Sequence, residues 1–175
     1  MTPPVRLRRL TARDLDRVVE LEPVLFGAGA WSRATYDAEL ARPDRRYVAA
    51  VDDDDALVGW AGIAVAAQAE IMTVGVAPGH RRRGIGAALL AALLDAARRA
   101  GSREVYLEVR AHDAGAQRLY ERAGFVPLGI RKGYYQPEGA DAVVMRLSLA
   151  APPGVVGAEM LRADAVGTIP EKEHP

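Results

Sequence analysis

Residues 81–87 read Arg-Arg-Arg-Gly-Ile-Gly-Ala, just after an apolar segment, Val74-Gly75-Val76, and a Pro78-Gly79 turn. Glycine lacks a Cβ, so the backbone there can bend tightly and a ligand can approach it closely. The amides that open a helix have no intrahelical partner and sit at the positive end of its dipole. With full charge added by the arginines, Arg81, Arg82, Arg83, Gly84, Ile85, Gly86 and Ala87 read as a cradle for a pyrophosphate. No Gly-Lys-Ser/Thr follows, so this is not a Walker loop. It also lacks the third glycine of the dinucleotide fingerprint, and arginines stand where that motif has its first. A second reactive group is Glu108, between Leu107 and Val109. Neighbours on a strand face opposite sides, so Glu108 faces away from both. In a semi-dry cleft such a carboxylate can accept a proton near neutrality.

The elements that must position these groups follow from periodicity and punctuation. Residues 5–10 alternate apolar and charged side chains, as a strand with one wet face does. Thr11 and Asp14 open a helix whose stripe is Leu15, Val18, Val19, Leu21 and Leu25, broken at residues 27–30 by two glycines. Ser32 caps a second helix, and Pro43 lies beyond its end. Strands are expected at 47–51, 56–65 and 70–76, with an acidic turn at 52–55 between the first two. The adjacent aspartates of that turn lack the Gly and Glu spacing of a calcium loop. A long Ala/Leu helix runs over 84–100 and stops at Gly101. A strand at Glu104–Arg110, a helix over 113–123 and strands at 125–130 and 142–149 complete the set, the last two around a loop carrying Tyr134-Tyr135. The order is βααβββαβαββ, an α/β (α+β) chain with a mixed central sheet flanked by helices. The βαβ passage through the long helix should make two strands parallel, and such a pair, if it splays apart, would open a cleft at the sheet centre. Residues 1–149 form one domain, and 150–175, rich in Pro, Gly and Ala without periodicity, read as a poorly ordered tail.

Composition narrows the classes. The chain has 175 residues, half of them hydrophobic, with 23 basic and 23 acidic side chains. A balanced charge gives no field toward nucleic acid or membrane, so neither is expected as a partner. There is no cysteine, which excludes disulfides, thiolate metal sites and a cysteinyl acyl-enzyme. The histidines, His80, His112 and His174, lack metal-ligand spacing, and no metal is expected. No apolar run is long enough for a bilayer, and the N-terminus lacks the apolar core of a signal peptide, so a cytoplasmic location is expected.

Arg81-x-x-Gly84-x-Gly86 after a strand resembles the coenzyme A loop of the GCN5-related N-acetyltransferases. Tyr106-Leu107-Glu108-Val109-Arg110, Leu119-Tyr120-Glu121-Arg122-Ala123-Gly124-Phe125, Arg131-Lys132-Gly133-Tyr134-Tyr135 and Gly139-Ala140-Asp141-Ala142 narrow this to the RimI family, the bacterial ribosomal-protein alanine N-acetyltransferases. Glu20-Leu21-Glu22 and Trp31-Ser32 fit that family's opening helices, and the match spans residues 5–149.

The resemblance implies acetyl-CoA as co-substrate and a protein N-terminus as acceptor, such as a small-subunit ribosomal protein starting with alanine. It carries the general-base role onto Glu108 and the role of general acid for the departing thiolate onto Tyr120. Val74, Gly75 and Val76 would bond the acetyl group and pantetheine through their backbone. Asp113 stands where the family usually has Asn; it keeps the acceptor, loses the donor, and is also a good helix cap. Trp31, Tyr134, Tyr135 and Glu22 become candidates for the acceptor side. A small cationic amine as acceptor, a non-catalytic acyl-CoA-binding module and an RNA-binding domain using Arg81–Arg83 are the competing readings.

Overall fold

A computed structural model describes residues 5–149; the segment read as a tail lies outside the described residues. The elements are β1 (Arg6–Arg9), α1 (Leu15–Phe26), α2 (Arg33–Ala41), β2 (Arg45–Val51), β3 (Leu57–Ala64), β4 (Gln68–Val76), α3 (Ile85–Arg99), β5 (Glu104–Arg110), α4 (Ala114–Arg122), β6 (Val126–Tyr135) and β7 (Ala140–Ser148). They form one seven-stranded sheet in the order β1-β2-β3-β4-β5-β7-β6. The β4–β5 pair is parallel and the others antiparallel. This is the mixed βααβββαβαββ sheet that the sequence implies.

Local chemistry sets the element ends. The Thr11 amide donates to Asp14 Oδ2 at 2.9 Å, and a short 3₁₀ turn leads into α1. That helix stops at Gly27, whose φ of 57° a side chain rarely adopts. Ser32 caps α2, its Oγ accepting from the Thr35 amide at 3.2 Å. In α3 the residues Ile85, Leu89, Leu90, Leu93, Leu94 and Ala97 are buried, one stripe at helical spacing.

The sheet carries a core on each face. On one face the α3 stripe meets Val58, Ala61, Ile63, Ile71, Val105, Leu107 and Val109, joined by Tyr120 of α4 and by Phe125. On the other, Leu15, Val18 and Leu21 of α1 and Tyr36 of α2 cover Tyr47, Ala49, Val51 and Trp60. α1 and α3 therefore clamp the middle of the sheet between them.

The β4–β5 ladder is short. It pairs Gln68 with Glu104, Ala69 with Val105 and Glu70 with Tyr106, and ends there. Beyond it β4 stays on β3 and β5 stays on β7, so the two strands part. The register of β4 on β3 shifts at the same place: Ile71 faces Ile63, Thr73 faces Gly62, and Met72 is the extra residue. A bulge bends its strand and strengthens the local twist. Met72 packs into the α1-side core, and β4 turns away from β5 just past Glu70.

One expectation needs correction. Tyr134 and Tyr135 belong to β6 rather than to a loop. The strand bulges between Arg131 and Tyr135, where its register on β7 shifts. Asp141 holds the bulge, accepting from the Gly133 amide at 2.9 Å and the Lys132 ammonium at 3.3 Å. Alternation breaks there, so periodicity ends the strand at Ile130, too early.

Candidate active site

The arginine-rich turn ends in two left-handed residues, Arg82 (φ 60°) and Gly84 (φ 77°). Gly84 is the N-cap of α3 and supplies no side-chain cap, so the amides of Ile85, Gly86 and Ala87 lack helical partners. A Cβ on Gly84 would meet nothing within 4 Å. Arg81, Arg82 and Arg83 are exposed around this helix start. The donors and charges needed for a pyrophosphate are thus present and uncovered. Two of the residues also pack inside the protein. Ile85 sends its side chain into the α3 core at 3% exposure, so only its backbone serves the loop. A Cβ on Gly86 would sit 3.4 Å from Leu119 Cδ2, an ordinary contact distance, so α4 lies against this first turn of α3.

Along β4, Val74 and Val76 pack on the α3 side. Gly75 faces the other way, where a Cβ would come within 3.1 Å of Trp60 and 3.2 Å of Leu25. Glycine here lets α1 seat on the sheet. The outer edge of these residues turns toward β5 across the opening and has no ladder partner there.

Glu108 lies on the α1 face of β5, opposite the buried Leu107 and Val109, as alternation requires. Its side chain is only 4% exposed, and Arg131 Nη1 of β6 lies 3.5 Å from its Oε1. The Arg131 guanidinium also sits over the Tyr134 ring, 4.9 Å from its centre. Burial pushes the Tyr134 phenol up, and the negative charges of Glu108 and then Glu70 push it further. Glu70 is thus a second carboxylate of this cluster. Sequence reading missed it and Arg131 because the register of β4, β5, β7 and β6 brings them together, with no local spacing to reveal it.

Tyr120 lies on the opposite face. It is 8% exposed, within the α3-side core, with its ring edge-on to Phe125 at 5.8 Å. Burial raises its phenol well above the ordinary value, helped by Tyr135 and Asp113. Glu108 and Tyr120 therefore stand on opposite faces of the sheet. Asp113 caps α4, its Oδ1 accepting from the Ala116 amide at 3.0 Å.

The acceptor-side candidates divide. Trp31 is half-buried, its ring 5.4 Å from that of Tyr36. Tyr134 and Tyr135 meet edge-on at 5.0 Å. Glu22 proves to be an internal anchor rather than a lining residue: at 2% exposure it accepts from the Trp31 amide at 2.9 Å and from the Tyr36 hydroxyl. Trp60 Nε1 in turn donates to the Tyr36 oxygen at 2.8 Å. Burial raises the Glu22 carboxyl despite those two donors. The network fixes the turn between α1 and α2. Arg110, seen in the sequence only as part of a motif, stacks on Tyr135 at 4.2 Å and pairs with Glu138, with Gly29 of the α1–α2 turn close beside it. One guanidinium thus joins the α1–α2 turn to the end of β6 and the turn that follows it.

The comparisons agree with this geometry. Residues 15–125 match the model of the Acetyltransferase (GNAT) family. The N-alpha-acetyltransferase RimI of Mycobacterium tuberculosis is 43% identical over 151 residues, 83% of this chain and 93% of that protein. The crystal structure of the ribosomal-protein-S18-alanine N-acetyltransferase from Escherichia coli superposes with a TM-score of 0.76 at 28% identity, covering 88% of this chain and all of that one. The streptothricin acetyltransferase of Streptomyces lavendulae is 36% identical over 116 residues, 63% of this chain and 61% of that protein. The chain belongs to the GNAT acetyltransferase family, within its RimI group, and is an N-acetyltransferase.

Proposed function

We propose that the protein moves an acetyl group from acetyl-CoA to the α-amine of a protein N-terminus, that of an alanine-starting small-subunit ribosomal protein. The observation that carries this reading is the opening beside β4. Val74–Val76 have no ladder partner toward β5, the uncapped start of α3 lies near Val76, and Glu108 and Tyr120 stand on the two faces of the sheet. Two relatives matched over more than nine-tenths of their own length, 43% and 30% identical to this chain, are named as an N-alpha-acetyltransferase and a ribosomal-protein-alanine N-acetyltransferase.

In this reading Arg81–Arg83 and the amides of residues 85–87 hold the coenzyme pyrophosphate. The backbone of Val74, Gly75 and Val76 bonds the thioester carbonyl and the pantetheine arm. The acceptor nitrogen attacks the carbonyl carbon, its proton passes to Glu108, and the C–S bond breaks to release the thiolate. Tyr120 faces that sulfur. Its raised phenol is a weaker acid than a free one, at about 10, which already exceeds a thiol at about 8.5. Tyr120 therefore acts mainly by donating a hydrogen bond to the thiolate, with full proton transfer uphill. Asp113 serves α4 as a cap and holds no more than an accepting contact to the pantetheine. Trp31, Tyr134 and Tyr135 line the path of the peptide, and Arg110 bridges its walls.

The test is direct. The protein is incubated with acetyl-CoA and an alanine-starting peptide, the same peptide N-blocked but containing lysine, and free polyamines, and mass shifts are read. Acetylation of the first is expected. Preference for the blocked peptide or the polyamines overturns the assignment.

A further inference from the structure

Arg110 ends β5, and its backbone is fixed from two sides. Its carbonyl accepts from the Asp113 amide and from Gln117 Nε2 of α4, both at 3.0 Å, and the following amide, that of Ala111, donates to the Asp141 carbonyl at 2.9 Å. From this anchored root the side chain meets three segments. Its guanidinium lies on the Tyr135 ring, 4.2 Å from the centre, and pairs with Glu138 in the turn after β6. Its Nη2 stands 3.7 Å from where a Cβ on Gly29 would be, in the α1–α2 turn. That turn is held at its other end, where the Trp31 amide donates to the buried Glu22 at 2.9 Å. Glu108 and Arg110 lie two residues apart on β5, opposite Val144 and Ala142 of β7, so they share one face at a spacing of about 7 Å.

We propose that Arg110 is a positioning residue for the acceptor: its guanidinium clasps the β6–β7 turn to the α1–α2 turn, and the closed clasp is the arrangement that takes up the acceptor. The inference rests on the acceptor entering beside Glu108, past those two turns. Arginine suits the task because its planar fork can stack on a ring with its face while its N–H groups reach a carboxylate, whereas a lysine offers a single point charge. The clasp lies on the α1 face, away from the start of α3 that supplies the pyrophosphate donors. Where a binding-competent arrangement is only partly populated, the apparent dissociation constant rises by the inverse of that fraction while the bound state is unaltered. Opening the clasp therefore raises the acceptor KM and leaves kcat and coenzyme affinity in place.

The test compares Arg110→Met, Arg110→Lys, Glu138→Gln and the Met/Gln double variant. KM and kcat are measured for an alanine-starting peptide and for spermidine, with coenzyme affinity by calorimetry and a thermal melt. The loss of a stack and a partly exposed ion pair should raise the acceptor KM about tenfold in the Met variant, with kcat within about twofold and coenzyme affinity unchanged. Arg110→Lys should recover part of that loss. Glu138→Gln, at an exposed turn, should raise KM by a few-fold, and the double variant should be no worse than Arg110→Met alone, because both changes break one contact. An unchanged acceptor KM in the folded Met variant, a fall in kcat at constant KM, or fully additive Met and Gln effects overturn the proposal. The acceptor that wild type prefers judges the acceptor assignment, and the KM split on that acceptor, peptide or spermidine, judges Arg110.

Discussion

Replacing Glu108 by Gln is the sharpest perturbation of the proposed chemistry. Gln matches Glu in shape, so the side chain should remain beneath Arg131 and beside Tyr134. What is lost is a proton acceptor. General-base catalysis contributes about 10²–10⁴-fold, so kcat/KM for the peptide should fall by that range at pH 7. The loss should depend on pH. An α-amine of pKa about 8 is about one tenth neutral at pH 7 and about nine tenths neutral at pH 9, so the defect should shrink by up to about tenfold. Coenzyme affinity should hardly move, because the helix start that supplies the pyrophosphate donors is built on the other core. Loss of the partly exposed Arg131 contact should cost about 1 kcal/mol of stability or less. Steady-state rates at both pH values, calorimetry with the coenzyme and a thermal melt together decide it. A wild-type rate at pH 7 removes Glu108 as base. An equal loss at pH 7 and 9 means it does something other than accept the proton.

Three further changes probe other parts of the argument. Gly84→Val places a β-branched residue at φ 77° over the first amides of α3; it should weaken coenzyme binding more than tenfold and cost about 1–3 kcal/mol in backbone strain, and calorimetry showing unchanged affinity contradicts the cradle. Tyr120→Phe keeps the ring on Phe125, so the melting temperature should hold, while loss of a hydrogen bond to a charged atom, worth about 1.5–3 kcal/mol, should slow turnover about 10–150-fold; a large drop in stability with normal kcat makes Tyr120 purely structural. Glu22→Gln concerns pH. Because burial raises the folded Glu22 carboxyl, the protonated form favours folding below the unfolded value of about 4.3, and that advantage is lost as pH rises through the folded value. The Gln variant should therefore gain stability relative to wild type between pH 4 and pH 8, and an equal difference in melting temperature at both pH values refutes the reading.

Legibility followed the range of the interaction. α3 was readable because its stripe, its opening glycine and its closing glycine are local signals. The caps at Ser32 and Asp113 were readable for the same reason. So was the face of Glu108, which needs only its two neighbours. Glu22 was not, since its burial depends on Tyr36 and the Trp31 amide closing over it. Arg131 and Glu70 were invisible as members of the cluster around Tyr134 and Glu108 because four strands, β4, β5, β7 and β6, must first be put in register. The glycines mislead in an instructive way. A missing side chain announces that something comes close without naming it: open space at Gly84, Leu119 at Gly86, Trp60 and Leu25 at Gly75.

The splay that gathers these residues has a cause in one residue of β4. Parallel pairing ends at Glu70 and Tyr106, and the extra residue Met72 follows at once. The bulge turns β4 while β3 continues to hold it and while β7 keeps β5 straight. Gly75 lets α1 press on the diverging part, and Leu119 of α4 lies beside Gly86 on the far side. The parting thus acquires a wall on each face: Glu108 with Arg131 and the tyrosines on the α1 side, Tyr120 on the α3 side. Acyl transfer needs a proton taken from the nucleophile and charge stabilised on the leaving group. In the proposed mechanism those two tasks fall to Glu108 and Tyr120 on opposite faces of one sheet, which would meet at one reacting carbon only through the gap that the bulge creates.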